Sequence, residues 1–189
     1  MRLNVLLKIA TTILAAMAFS QISASCKNGL EANNNEETTM EKILFINGSP
    51  NRDGNTAALA KILLEDRQYE TINLNDYRIN FYGQALEGDR FDEVLAKMKE
   101  ADVIVMGSPV YWHNICASMR TFMERFYGYV PESTFSGKRL FFVYQGAAPT
   151  EMMIEDGEYT MSRFARMYGF SYEGMATNSN EARELASKI

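Results

Sequence analysis

The chain predicts an open, doubly wound α/β sheet, and three observations lead there. Continuous apolar runs of strand length recur along it. Stretches with apolar residues at helical spacing separate them. Strand-like and helix-like segments alternate from Lys42 to the end, which is the pattern of parallel strands joined by helical crossovers in one domain.

Each element has its own reason. "KILFIN" (42–47) is a continuous apolar run, typical of a parallel strand covered on both faces. After a glycine-rich loop, Leu59, Ile62 and Leu63 mark one face of a helix. "YETINL" (69–74) is a second strand. In "RFDEVLAKMKEA" (90–101), Phe91, Val94, Leu95 and Met98 fall at helical spacing. "DVIVMG" (102–107) is a third strand, and Ile115, Met119, Phe122, Met123 and Phe126 form the next helical stripe. "KRLFFVYQ" (138–145) is a fourth strand. "EYTMSRFARMYG" (158–169) reads as a helix stopped by Gly169. "FSYEGMA" (170–176) is the fifth strand and "NEARELASKI" (180–189) a last short helix. Met98, Met119 and Met123 sit on core stripes, so they read as packing.

The first 26 residues differ from this pattern. Arg2 and Lys8 precede the apolar run Ile9–Phe19, and "SQISAS" leads to Cys26. That order of charged, apolar and small residues reads as a secretory signal, too short in its apolar part to span a membrane, and predicts an exported protein, periplasmic or membrane-anchored. "SASC" also resembles a bacterial lipoprotein signal with Cys26 as the lipidated residue, although Ser23 stands where a leucine is usual. Residues 27–41 are polar and mildly acidic, so they read as a disordered tether between this signal and a folded domain at 42–189. Translation starting at Met40, "MEKILFINGSP", would instead give a cytoplasmic domain.

The whole chain carries a net charge of −5; losing residues 1–26 removes two basic residues and leaves 17 against 24 acids, or −7. Such an acidic chain without a basic stripe argues against a nucleic-acid partner. Cys116 is the single cysteine after Cys26, so no internal disulfide framework is available.

Ligands of doubly wound sheets sit at the carboxyl ends of the strands, where strand order reverses. Two loops fall there. The first, "NGSPNRDGNTA", follows a strand and opens a helix, so free backbone N–H groups and the helix dipole favour an anion. It is not a nucleoside-triphosphate loop: five residues separate Gly48 from Gly54, and Asn55 replaces the lysine. The pattern Gly-x-Gly-x-x-Gly is absent too. Ser49, Asn51, Asn55 and Thr56 offer neutral donors suited to one terminal phosphate; a plain βα turn capped by Ser and Asn would use the same residues. The second loop, "GSPVYWHN", is stiffened by Pro109 and places Tyr111 and Trp112 side by side in sequence. Aromatic rings at a loop tip suit stacking on a flat ring system. A phosphate cradle beside an aromatic platform describes a site for a mononucleotide with a large planar ring, and FMN fits.

"GSPNRDGNTAALA" followed by "ADVIVMGSPVYWHNICASMRTFMERF" closely resembles the flavodoxin-like NADPH-dependent FMN reductase family, which includes multimeric flavodoxins and iron–sulfur flavoproteins. The resemblance spans about residues 42–189. It implies a five-stranded parallel sheet in flavodoxin order, with FMN at the ends of the first and third strands. It implies that Ser49, Asn51, Asn55 and Thr56 meet the phosphate, and that Pro109, Val110, Tyr111 and Trp112 line the isoalloxazine. Gln145, Gly146 and Ala147 would approach the ring's other edge. No protein residue is expected to be catalytic, and no metal is expected. The region between second strand and second helix, where iron–sulfur members hold a cysteine cluster, has no cysteine here. Arg120 and Glu124 stand in for a family Lys and Asp. His113, the chain's one histidine, stands where a glycine is usual and reads as an exposed rim residue, with a proton relay as the alternative. Cys116 reads as an inert buried thiol at a helix start. Met152 and Met153 follow the fourth-strand loop and read as core packing, with the floor of a substrate pocket as the alternative.

The resemblance implies an oxidoreductase that takes electrons from NAD(P)H or another donor and passes them through FMN to a quinone, a flavin or another small acceptor. The alternative is a non-enzymatic flavodoxin-like carrier whose acidic surface docks on basic partners; a third is an FMN-binding module without turnover. Self-association is left open. An exported domain would lack cytoplasmic nicotinamide, so location and electron donor are linked.

Overall fold

The computed structural model describes residues 40–189. The signal read at 1–26, with Cys26, and all but the last two residues of the tether lie outside the described residues. The strands are β1 (Ile43–Asn47), β2 (Glu70–Asn73), β3 (Val103–Tyr111), β4 (Asn114–Ile115), β5 (Arg139–Gln145) and β6 (Ser171–Ala176). The helices are α1 (Asn55–Leu64), α2 (Phe91–Glu100), α3 (Ala117–Glu124), α4 (Glu151–Tyr168) and α5 (Ser179–Ala186). Five strands pair in parallel in the order β2-β1-β3-β5-β6, and β4 pairs antiparallel with the end of β3 alone. With β4 set aside, this is the flavodoxin order.

The central strands β1, β3 and β5 are largely apolar because alternate side chains enter two different cores, whereas the edge strands β2 and β6 are mixed. Leu44, Ile46, Ile104, Met106, Leu140, Phe142 and Tyr144 point to the face covered by α2, α3 and α4. Ile43, Phe45, Val103, Val105, Phe141 and Val143 point to the face covered by α1 and α5. Met98, Met119 and Met123 are buried in the first of these cores, as their helical spacing predicts.

Three local expectations change. Ile115 is not on the α3 stripe: it lies in β4 opposite Val110, and α3 starts two residues later. The third strand continues past Gly107 to Tyr111 and turns back as a hairpin. Helix α4 begins at Glu151, seven residues before its apolar stripe. Thr150 caps its start by accepting the Met153 N–H at 3.4 Å, and Gly169 ends it at φ 85°, where glycine meets no Cβ penalty. Gly157, which interrupts the periodicity, leaves room for the Tyr144 ring: a Cβ there would lie 2.2 Å from it. Among the described residues, no helix is long and apolar enough to cross a membrane.

Between β2 and α2 the loop is held from beneath. Buried Asn80 donates to the Leu86 carbonyl at 2.7 Å, and Arg125 bonds the Asn80 carbonyl and the Asp89 carboxylate. Partial burial raises the Asp89 carboxyl, but the Arg125 hydrogen bond, the Phe91 N–H and the Arg125 charge hold it below the usual carboxylate range.

Candidate functional site

The β1–α1 loop and the β3–β4 hairpin both emerge at the carboxyl ends of adjacent strands, β1 and β3. The first is organised by Asn47, a polar residue that ends an apolar strand and is fully buried. Its Oδ1 accepts the Ser49 N–H at 3.0 Å, and its Nδ2 donates to Asn73 Oδ1 at 3.1 Å and, more weakly, to the Asn51 carbonyl at 3.5 Å. Ser49 is buried, and its Oγ accepts the Asn51 N–H at 3.1 Å. Asn51 and Asn55 are exposed.

Thr56 lies in the first turn of α1 and is 1% exposed, yet its Oγ1 has no hydrogen-bond partner. A buried hydroxyl left unpaired costs free energy that a ligand oxygen would recover. Around it, the first-turn amides of α1 have no intrahelical acceptor. Gly107 lets Thr56 sit this close, because a Cβ there would lie 2.9 Å from Thr56 Cγ2. The loop's cation, Arg52, is engaged by Asp76 at 2.6 Å in an exposed pair. The arrangement therefore offers neutral donors and a helix dipole, which fits one terminal phosphate.

Pro109 is buried in β3 opposite Gln145 of β5, Val110 is half-buried, and Tyr111 is 45% exposed. Trp112 and His113 form the two-residue hairpin turn with φ of 49° and 67°. Both central residues of such a turn need positive φ, which suits Asn-Gly and strains Trp-His. His113 is exposed, as expected. Trp112 is 95% exposed. It stands at the tip of the hairpin and borders an open pocket of about 320 Å³ with Val110, His113, Gly146, Ala147 and Met153. Tyr111 and Gln145 do not line that pocket. Gly146 faces Val110 closely: a Cβ at 146 would lie 3.0 Å from the Val110 Cβ. The methionine expectation changes here, since Met152 is 65% exposed and Met153 borders the pocket rather than the core. A cavity of about 500 Å³ lies at the amino ends of the strands, between Lys42, Tyr69 and Lys97, and holds none of the motif residues.

Helix α3 joins the two loops. Ser118 Oγ donates to the Gly48 carbonyl at 2.6 Å, and Cys116 Sγ lies 3.2 Å from the same oxygen. The Cys116 N–H donates to Ser108 Oγ at 2.9 Å, at the foot of the hairpin. Cys116 is buried. Beneath, Tyr144 is fully buried with an unpartnered hydroxyl, and burial first, then Asp156 and Cys116, push its pKa up to about 12. Asn47, Asn73, Ser108 and Ser118 escape motif reading because they bond to backbone or to each other. The one visible signal was an asparagine closing an apolar strand.

The family described as NADPH-dependent FMN reductase matches residues 41–157, more than half of the chain. An iron–sulfur flavoprotein of Methanocaldococcus jannaschii is 37% identical over 98 residues, covering 44% of this chain and 51% of that protein. An iron–sulfur flavoprotein of Archaeoglobus fulgidus is 30% identical over 111 residues, covering 51% of this chain and 50% of that protein. The chain thus spans about half the length of the curated relatives it matches. Among solved structures, a flavone reductase superposes with TM-score 0.65 at 17% identity, covering 78% of this chain and 61% of that one. An NADH:FMN oxidoreductase in its apo form gives 0.57 at 20% identity, with 78% and 85% covered. At such identities the structures speak for the fold.

Proposed function

Because the chain belongs to the NADPH-dependent FMN reductase family, we propose that it is an FMN-dependent oxidoreductase that moves electrons from NAD(P)H to a small acceptor such as a quinone or a free flavin. The observation that carries the reading is the orphaned, buried Thr56 hydroxyl at the start of α1, beside the hairpin that bears Trp112. Thr56, the first-turn amides and the loop of Ser49, Asn51 and Asn55 would hold the FMN phosphate. Pro109, Val110, Tyr111 and Trp112 would line one side of the ring, and Gln145, Gly146 and Ala147 the other edge. FMN, when bound, supplies the hydride and electron chemistry. The protein's part is to orient the ring and to leave one face open to donor and acceptor.

Two cysteines in the whole chain are too few for the four thiolates of a typical iron–sulfur cluster. The iron–sulfur character in the relatives' names therefore does not extend to this chain in our reading. Mixing FMN-loaded protein with NADPH without oxygen is the test. Bleaching of the flavin absorbance is the expected result; an unreduced flavin that accepts electrons only from a protein or a quinol would favour the carrier reading.

For location, the proposal is export with Cys26 as a lipid anchor, supported by the order of charge, apolar run and "SASC". Membrane association lost in Cys26→Ala is the expected result of cell fractionation. Cytoplasmic protein starting at Met40 would overturn it.

A further inference from the structure

We infer that Ser118 and Cys116 at the start of α3 are positioning residues for phosphate recognition, acting through the carbonyl of Gly48. The inference rests on the FMN reading of the two loops.

Gly48 is where the β1–α1 loop leaves the sheet. Its N–H donates to the Gly107 carbonyl at 2.8 Å, and its carbonyl accepts from Ser118 Oγ at 2.6 Å with Cys116 Sγ at 3.2 Å. Both backbone groups of one residue are thus fixed, one by β3 and one by α3. There is no slack in the packing either: a Cβ on Gly48 would lie 3.0 Å from Cys116 Sγ, 3.0 Å from the Gly107 oxygen and 3.1 Å from Met119 Cβ. The next residue, Ser49, is fixed through Asn47. The amides and the Thr56 hydroxyl that would meet a phosphate therefore stand on a base set by α3.

The geometry also shows why Cys116 and Ser118 do this. Cys116 is the N-cap of α3, yet its side chain makes no capping bond. Its sulfur turns instead to Gly48, and the Cys116 N–H goes to Ser108 Oγ, which donates to the Pro109 carbonyl at 2.8 Å. One helix end so braces the phosphate loop and the foot of the ring hairpin together. A side chain that served α3 alone would cap α3.

A preorganised anion site loses affinity when its base loosens, while ring contacts do not depend on it. The test is titration of wild type, Ser118→Ala, Ser118→Thr and Cys116→Ser with FMN and with riboflavin, read by flavin fluorescence. Ser118→Ala should weaken FMN by about 3- to 10-fold, the span of one lost hydrogen bond, and leave riboflavin within about 2-fold. Ser118→Thr and Cys116→Ser keep a donor and should stay near wild type. Equal weakening of both flavins, or a lower melting temperature with no change in the FMN-to-riboflavin ratio, would overturn the positioning role. So would unchanged FMN affinity in Ser118→Ala. Wild type that binds neither flavin would overturn the FMN reading and this inference with it; wild type that binds FMN while the variants show no split overturns this inference alone.

Discussion

The two loops at the strand ends are built in opposite ways. The β1–α1 loop is buried at Ser49 and Thr56 and braced by Asn47, Asn73 and Ser118. The β3–β4 hairpin is anchored at its foot through Ser108 but ends in Trp112, nearly all of it in solvent, on a turn with two positive φ angles at non-glycine residues. A phosphate is small, symmetric and highly charged, so a rigid cradle recognises it well. A flat ring that must exchange partners needs one side that opens. On this account the first loop supplies affinity and the second supplies access.

Substitutions in the braced loop should have the larger effects. Gly48→Ala places a Cβ against Cys116, Gly107 and Met119, and should destabilise the fold by about 1–3 kcal/mol, seen as a lower midpoint in urea. Unchanged stability would mean that the loop is looser than its contacts suggest.

Thr56→Ala should weaken FMN by about 1.5–3 kcal/mol, one charge-assisted hydrogen bond, with riboflavin nearly unchanged. The unliganded protein should lose little, since Oγ1 has no partner to forfeit. Loss of stability with equal loss of both ligands would move Thr56 from the ligand to the fold.

The sheet was legible because its central strands are apolar runs covered on both faces, as in "KILFIN" and "DVIVMG". The hairpin was not. Two-residue β4 is too short for a periodic signal, and its turn is Trp-His where Asn-Gly would announce it. Ile115 therefore looked like the first residue of the α3 stripe. The start of α4 was hidden because its first two turns mix exposed acids Glu151, Glu155 and Asp156 with Met152 to Ile154 out of step with the later stripe, and because Gly157 stands where the Tyr144 ring packs. In the site, the order of small polar residues was legible and the bracing was not. Ser118 and Asn47 act on backbone atoms brought near by the fold, which no spacing in sequence reports.

Substitutions in the hairpin should have milder effects on stability, and one of them an effect of opposite sign. His113→Gly removes a side chain from φ 67° and should stabilise the unliganded protein by about 0.5–1 kcal/mol, measured by thermal melting. Destabilisation would show that the imidazole makes contacts that outweigh the strained turn. Trp112→Ala should change unliganded stability by no more than about 0.5 kcal/mol, because its side chain is already in water. In the loaded protein it should weaken FMN and riboflavin alike and shift the flavin spectrum. An unaltered spectrum would remove Trp112 from the ring site.

On the FMN reading, the braced loop makes the phosphate the main handle on the cofactor. Calorimetric titration of the folded domain, residues 40–189, with FMN and then with riboflavin tests it most directly. Saturable FMN binding at least about 10-fold tighter than riboflavin, the span of one or more phosphate hydrogen bonds, is expected. Equal affinities, or no heat and no binding with FMN, would contradict it.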